Sequence, residues 1–160
     1  MNRWLKTSCT VAVAALLTVN AYSADAYTAE QRAVLAPVNA LFDAMVKHDV
    51  PASRKLILAG ASFVVVKSDG SVLMEHDADY LDSLAKHKEQ FRERIWDAQV
   101  TVSDTIAQVW APYDFHLDGK LTHCGIDVFS LVRTKDGWRI AGISYSTQKT
   151  GCKPSPLDKS

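Results

Sequence analysis

Thr105-IAQVWAPYDFHL-Asp118-Gly119-KLTHCGIDVFSLVRTK-Asp136-Gly137-WRIAGISYS-Thr147 is the stretch that decides the fold. Three long β-rich runs, Thr105–Leu117, Lys120–Thr134 and Trp138–Thr147, are separated by two Asp-Gly pairs. Asp-Gly between such runs is a strong hairpin signal, because both residues accept the positive φ of a tight turn. Ile95–Val102 precedes them as a further strand. Strands of this length exceed the usual five or six residues, so the sheet must coil.

Upstream the pattern changes period. Val34, Val38, Leu41, Phe42 and Met45 recur on one helical face between Thr28 and His48. Thr28 followed by Gln31 reads as a capping box. Pro37 lies inside this pattern, so the helix either kinks there or has its strong part from about Ala36. Pro51 suits the first turn of a second helix to about Leu58. Ala61–Lys67 is β-branched, Ser68–Ser71 is a turn, and Val72–Glu75 can pair back. Asp77 or Asp79 can cap a third helix running to about Phe91. Helices followed by a long antiparallel meander make an α+β fold: N-terminal helices on one face of a strongly curved antiparallel sheet, closing a cone.

The chain has 160 residues, 18 basic and 18 acidic, with 48% apolar and 22% charged residues. That composition is globular and excludes a disordered, collagen-like or disulfide-knotted chain. Zero net charge argues against electrostatic nucleic-acid binding, which needs a basic excess. Residues 1–26 read as a signal peptide: Arg3 and Lys6, then uncharged Cys9–Val19, then small residues. Cleavage after Ala26 places Ala24 and Ala26 at the −3 and −1 positions, and cleavage after Ser23 is a second option. The apolar run is short of the roughly 20 residues that a membrane span needs. The expected mature protein is periplasmic or secreted, with a domain over 27–148 and a loose tail over 149–160. It retains Cys124 and Cys152, an even pair that suits one disulfide in an oxidising compartment. Two inert thiols or a metal thiolate pair are the alternatives.

Val109-Trp-Ala-Pro-Tyr-Asp-Phe115, Asp118-Gly-Lys120, His123-Cys-Gly-Ile-Asp127 and Arg133-Thr-Lys-Asp-Gly-Trp-Arg-Ile140 together resemble the putative lumazine-binding family. That family belongs to the nuclear-transport-factor-two-like, or cystatin-like, superfamily, with polyketide cyclases and ketosteroid isomerases as relatives. The resemblance covers about residues 28–148. It implies a cone-shaped α+β fold with an open pocket, usually dimeric. It transfers no activity, because one fold hosts many chemistries.

Two-residue turns at both Asp-Gly pairs would set Leu117 opposite Lys120 and Lys135 opposite Trp138. Asp114 then faces His123, and Trp110 faces Asp127. This register places Trp110, Asp114, His123, Asp127, Phe129, Trp138, Ile140, Ser144 and Ser146 on the concave side. One bulge would swap the faces beyond it. On this reading Trp110, Asp114, His123, Asp127, Phe129, Trp138 and Ser146 are candidate ligand contacts. Asp127 is the candidate general base, a carboxylate whose burial among rings would raise its pKa. A structural Asp127, hydrogen-bonded to a serine or an indole, is the alternative. Asp114, His116 and His123 would cluster as a possible zinc set. His48, His76 and His87 read as surface, and Arg92-Glu93-Arg94 as solvated helix charge. The Val-, Ile- and Tyr-rich convex side suits a homodimer interface. No nucleophile elbow, phosphate loop, dinucleotide fingerprint or His-Glu-x-x-His occurs, and no cofactor is expected. Three functions follow: an exported small-ligand binder, an isomerase, cyclase or dehydratase using Asp127, or a protein–protein interaction module.

Overall fold

The computed structural model describes residues 27–159. The signal-peptide reading falls outside them. The elements in chain order are α1 (Ala29–Val46), α2 (Val50–Leu56), β1 (Ile57–Lys67), β2 (Val72–His76), α3 (Asp77–Lys86), β3 (Phe91–Ile95), β4 (Gln99–Ser103), β5 (Ile106–Leu117), β6 (Lys120–Thr134) and β7 (Gly137–Thr147). A short 3₁₀ turn, Pro156–Lys159, closes the chain. None of the described helices is long and apolar enough to cross a membrane.

Helix α1 begins at the expected capping box. The Thr28 hydroxyl accepts from the Gln31 amide (3.2 Å), and the Gln31 side chain accepts from the Thr28 amide (2.9 Å). Two amides that the helix leaves unpaired are thereby satisfied. Pro37 is buried inside a continuous helix rather than ending it. Thr28→Ala should therefore cost about 1 kcal/mol, measured as a lower urea midpoint at unchanged slope.

The sheet runs β2-β1-β7-β6-β5-β3, with β4 also on β5. It is mixed rather than wholly antiparallel, because β1 lies parallel to β7. Strand periodicity reports faces but not the pairing of strands far apart in sequence, so this pair was not legible. The expected single strand Ile95–Val102 is two strands. β3 pairs with the distal half of β5, β4 with its proximal half, and the break lies at Trp96–Ala98, where Asp97 has φ +46°. Helix α3 ends at Lys86, so Phe91 to Ile95 is strand and not helix.

Two bulges correct the expected faces. The Asp118-Gly119 turn has the positive φ values of a type I′ turn (+49° and +76°) and pairs Leu117 with Lys120 as expected. Two residues on, Thr122 is inserted, so Phe115 and not Asp114 faces His123. The Thr122 hydroxyl donates to the Phe115 carbonyl (3.0 Å). The second hairpin reverses at Lys135-Asp136, pairing Thr134 with Gly137 and Arg133 with Trp138. A bulge at Ala141 then pairs Ser130 with Gly142. Such insertions flip every later side chain. Trp110, Asp114, Ser144 and Ser146 are therefore on the outer face. Val109, Ala111, Tyr113 and Phe115 replace the first two inside, and Ile143 and Tyr145 replace the serines.

The inner face of this curved sheet packs on α1. Val34, Val38, Leu41 and Phe42 meet Val109, Phe129, Leu131 and Ile140, and Phe42 sets its edge against Phe129 (5.9 Å). The tail is tied down rather than loose. Cys124 pairs with Gln148, the chain turns at Gly151 (φ +73°), and Cys152 forms a disulfide with Cys124. Beyond it Ser155 is buried and Asp158 bonds Arg94 (2.9 Å).

Candidate functional site

The packed core does not fill the wide end of the cone. A cavity of about 400 Å³ remains there. Its helical wall is Leu41, Phe42 and Met45 of α1 with Tyr80, Ser83 and Leu84 of α3. Phe63, Phe91, Phe115, Phe129, Ile143 and Tyr145 supply the sheet wall, and His87 and Glu89 stand in the α3–β3 connection. Phe63 stacks on Tyr80 (5.2 Å), and Phe91 packs on Phe115 (5.6 Å). The cavity is thus largely aromatic, with a few polar groups converging on it, as ligand pockets commonly are.

Of the four acidic side chains that line the cavity, Glu75, Glu89, Glu93 and Asp127, the last two form a pair. Asp127 is only 2% exposed, and its Oδ2 meets no donor group of the described residues. Glu93 reaches it from β3, carboxyl to carboxyl. Burial raises Asp127 well above the usual carboxylate range, and the neighbouring Glu93 charge raises it further. Burial likewise raises Glu93, to about 7, while its bond from Asp127 works the other way. The two carboxyls therefore share one proton near neutrality, held mainly on Asp127, and they titrate as a pair.

The other polar groups are set by their partners. Burial raises the Tyr113, Tyr145 and Tyr80 phenols, so all three stay protonated. Tyr113 donates to the Ser146 carbonyl (2.9 Å). Burial lowers His123, and Lys149 lowers it further, which keeps the ring neutral. The Thr122 proton is already given to Phe115, so His123 Nδ1–H must donate to Thr122 Oγ1 (3.0 Å). That fixes the tautomer and leaves Nε2 as an acceptor.

Of the seven candidate contacts read from the sequence, the cavity brings together His123, Asp127 and Phe129. Trp110 is 37% exposed on the outer face. Trp138 keeps the inner side of its strand but lies at the far hairpin, under the Arg133 guanidinium (4.7 Å). Ser146 turns outward, where its hydroxyl accepts from the Ile126 amide (3.1 Å). Asp114 is clamped by Arg94, whose Nε donates at 2.8 Å, while His116 lies 3.3 Å away. Burial alone would raise the Asp114 carboxyl, but Arg94 outweighs it and holds it low. Asp114, His116 and His123 do not form a metal set, because the Thr122 bulge sends His123 to the opposite face. Among the described residues no group of three metal-ligating side chains converges. Two of the expected surface histidines have structural places: His48 meets the carbonyls of Leu84 (2.9 Å) and Glu89 (3.0 Å), and His87 lines the cavity.

The residues that sequence reading missed are Glu93 and Tyr145. Glu93 stood in an apparent run of helix charge. The signal that finds it is period two: Phe91, Glu93 and Ile95 alternate with Arg92 and Arg94. Tyr145 follows the Ala141 bulge, and no residue type marks that bulge.

A cone of three helices on a curved, open mixed sheet with an aromatic cavity defines the nuclear-transport-factor-two-like class. Within it, the profile of the family described as putative lumazine-binding matches residues 29–146, and the chain belongs to that family. Solved structures agree on the fold. An NTF2-like protein from Cytophaga hutchinsonii superposes with a TM-score of 0.65 at 12% identity, over 76% of this chain and 100% of that one. A putative dehydratase of the NTF2-like family from Streptomyces avermitilis gives 0.61 at 20% identity, over 74% and 96%. The β subunit of a putative aromatic-ring-hydroxylating dioxygenase from Novosphingobium aromaticivorans gives 0.63 at 15% identity, over 80% and 94%. No curated protein matches the chain.

Proposed function

We propose that this protein is exported and binds a small apolar or aromatic molecule inside the cone. The observation that carries this reading is the aromatic cavity of about 400 Å³, a size that encloses a compact ligand. The family's printed description, lumazine-binding, supports a small-molecule ligand. Export is supported by the signal-like residues 1–26 and by a disulfide in the fold. A ligand held only by the native state at a hundred times its Kd adds about 2.7 kcal/mol, a Tm rise on the order of 8 °C for a domain of this size. A screen of flat aromatic molecules by thermal shift is expected to find such a rise. Native mass spectrometry of protein from its exported fraction is expected to show the mass without residues 1–26 and a retained small molecule. A screen with no shift, and an empty spectrum, would count against the reading.

The Glu93–Asp127 pair favours one second reading. A carboxyl pair sharing a proton within an apolar pocket can move a proton at a bound carbonyl compound, as an isomerase, cyclase or dehydratase requires. In that reading the ionised pair, rather than Asp127 alone, is the base. The putative dehydratase among the similar folds supports it. Loss of turnover in a folded Asp127→Asn protein would support the enzyme. We also assign the outer face to homodimerisation, because Val66, Val72, Met74, Ile106 and Trp110 are exposed there. The same native spectrum reports that state.

A further inference from the structure

The cavity is charged on one side only. Glu75, Glu89, Glu93 and Asp127 line it, and among the described residues no lysine or arginine does. Arg94, next to Glu93 on β3, points outward and is held by Asp114 and Asp158. His123 is neutral and presents Nε2 as an acceptor, and His87 is the other imidazole in the wall. Asp127 Oδ2 is buried without a donor among the described residues. The floor of the pocket therefore offers lone pairs and negative charge, and the walls offer ring faces. A carboxylate or phosphate ligand would meet repulsion with nothing to offset it. A neutral aromatic without an N–H or O–H donor would leave Oδ2 unpaired, which is unfavourable for a buried acceptor.

From this arrangement we propose that the cone selects an organic cation. The ligand is a flat aromatic body carrying a protonated nitrogen head with N–H donors, such as an amidinium or an arylalkyl ammonium, and the head sits against Glu93 and Asp127. The inference rests on the ligand-binding reading above and names the class of ligand. Burial of such a head against a carboxylate gives charge-assisted hydrogen bonds, and the ring walls add cation–π attraction. A neutral ligand of the same shape gains no cation–π attraction and donates weaker hydrogen bonds to the carboxylate.

The test uses three probes of one skeleton: 2-naphthamidinium, 2-naphthamide and 2-naphthoate. Calorimetry and thermal shift on the disulfide-bonded protein are expected to give the amidinium a Kd at least tenfold below the amide, with no binding of the naphthoate. Glu93→Gln, checked for folding by circular dichroism, should lose that tenfold preference for the amidinium over the amide. Amidinium affinity should also rise from pH 6 to pH 8 as the pair becomes anionic. Tyr80 of α3, Tyr113 and Asp114 of β5, Asp127 of β6 and Tyr145 of β7 act on Glu93, and Glu75, His87, Glu89 and His123 line the same cavity, so the Glu93→Gln protein is the control for titration of the other groups. Equal or tighter binding of the amide, or any preference for the naphthoate, overturns the cation assignment and leaves the pocket reading standing. A preference that survives Glu93→Gln also overturns it. If none of the three binds, both the assignment and the pocket reading fail.

Discussion

Glu93→Gln is expected to stabilise the protein at pH 8 by about 2 kcal/mol and to change it little at pH 4. The sign follows from linkage. Both carboxyls of the pair are raised in the folded state, Glu93 from 4.5 to about 7 and Asp127 well above its ordinary value. Below the unfolded values both are protonated, folded or unfolded, and no stability is lost. As pH rises past 4 the unfolded chain gives up its protons while the folded chain keeps them. Stability therefore falls until the folded pair ionises. The Glu93 rise alone corresponds to about 3 kcal/mol at 1.36 kcal/mol per pK unit. We expect less, because Glu93 is half-buried beside an open cavity and water there softens the cost. A glutamine keeps the shape, accepts the Asp127 proton and carries no charge. Asp127→Asn should act in the same direction, since its amide can donate to Glu93 as the protonated acid does. Urea denaturation at pH 4 and pH 8 reads both variants. Equal destabilisation at the two pH values would sink the shared-proton account. A pair that costs stability and lines a cavity is the kind of arrangement retained at working sites rather than in scaffolds.

The fold was readable because its signals are local. The Thr28–Gln31 cap, the helical stripe from Val34 to Met45 and the turn at Asp118-Gly119 each fix their own segment by short-range chemistry. The Cys124–Cys152 bridge was open to two alternatives in sequence, and the return of the chain at Gly151 settles it. The site was half readable for a reason that residue composition does not carry. On β6, one alternating set from His123 to Leu131 stayed on the inner face, so His123, Asp127 and Phe129 were placed correctly. On β5 the same alternation was anchored at the turn, and a single inserted residue, Thr122, inverted it. Thr122 is an ordinary strand residue. The ladder register and its hydroxyl bond to the Phe115 carbonyl mark it as the extra one. Ala141 does the same to β7 and exchanges Ser144 and Ser146 for Ile143 and Tyr145. Glu93 was hidden by a different competition. Arg92-Glu93-Arg94 has the charge of a solvated helix, but β5 offers an open edge and takes the segment as a strand.

Gly125→Ala is expected to destabilise the protein by about 3 kcal/mol or more, the upper end of the range for overpacking. A Cβ at Gly125 would lie 1.9 Å from the Ser146 carbonyl oxygen and 2.8 Å from its carbon, so backbone and not a flexible side chain must give way. That backbone is pinned on three sides. The Ser146 carbonyl accepts the Tyr113 hydroxyl (2.9 Å), and the Ser146 hydroxyl accepts the Ile126 amide (3.1 Å). Next door, Cys124 and Gln148 exchange backbone bonds of 3.0 and 2.9 Å. Any retreat of Ser146 breaks the first of these and leaves the Tyr113 hydroxyl beside the Glu93–Asp127 pair without its acceptor. Gly142 is the control, since a Cβ there meets the Ser62 carbonyl at 3.2 Å and a shift of a few tenths relieves it. Gly142→Ala should cost about 1 kcal/mol, near the bottom of the same range. Tyr113→Phe should make the Gly125→Ala loss smaller than additive, because the carbonyl is then free to move. The close approach also bears on the site: Gly125 precedes Asp127 by two residues, and Asp127 pairs across the ladder with Tyr145. A backbone that moves at Ser146 moves the phenol and the carboxyl together. Gly125→Ala should thus weaken ligand binding even at temperatures where the variant is fully folded, whereas Gly142→Ala should not. Equal unfolding midpoints for the two variants would show that Ser146 does not press on Gly125.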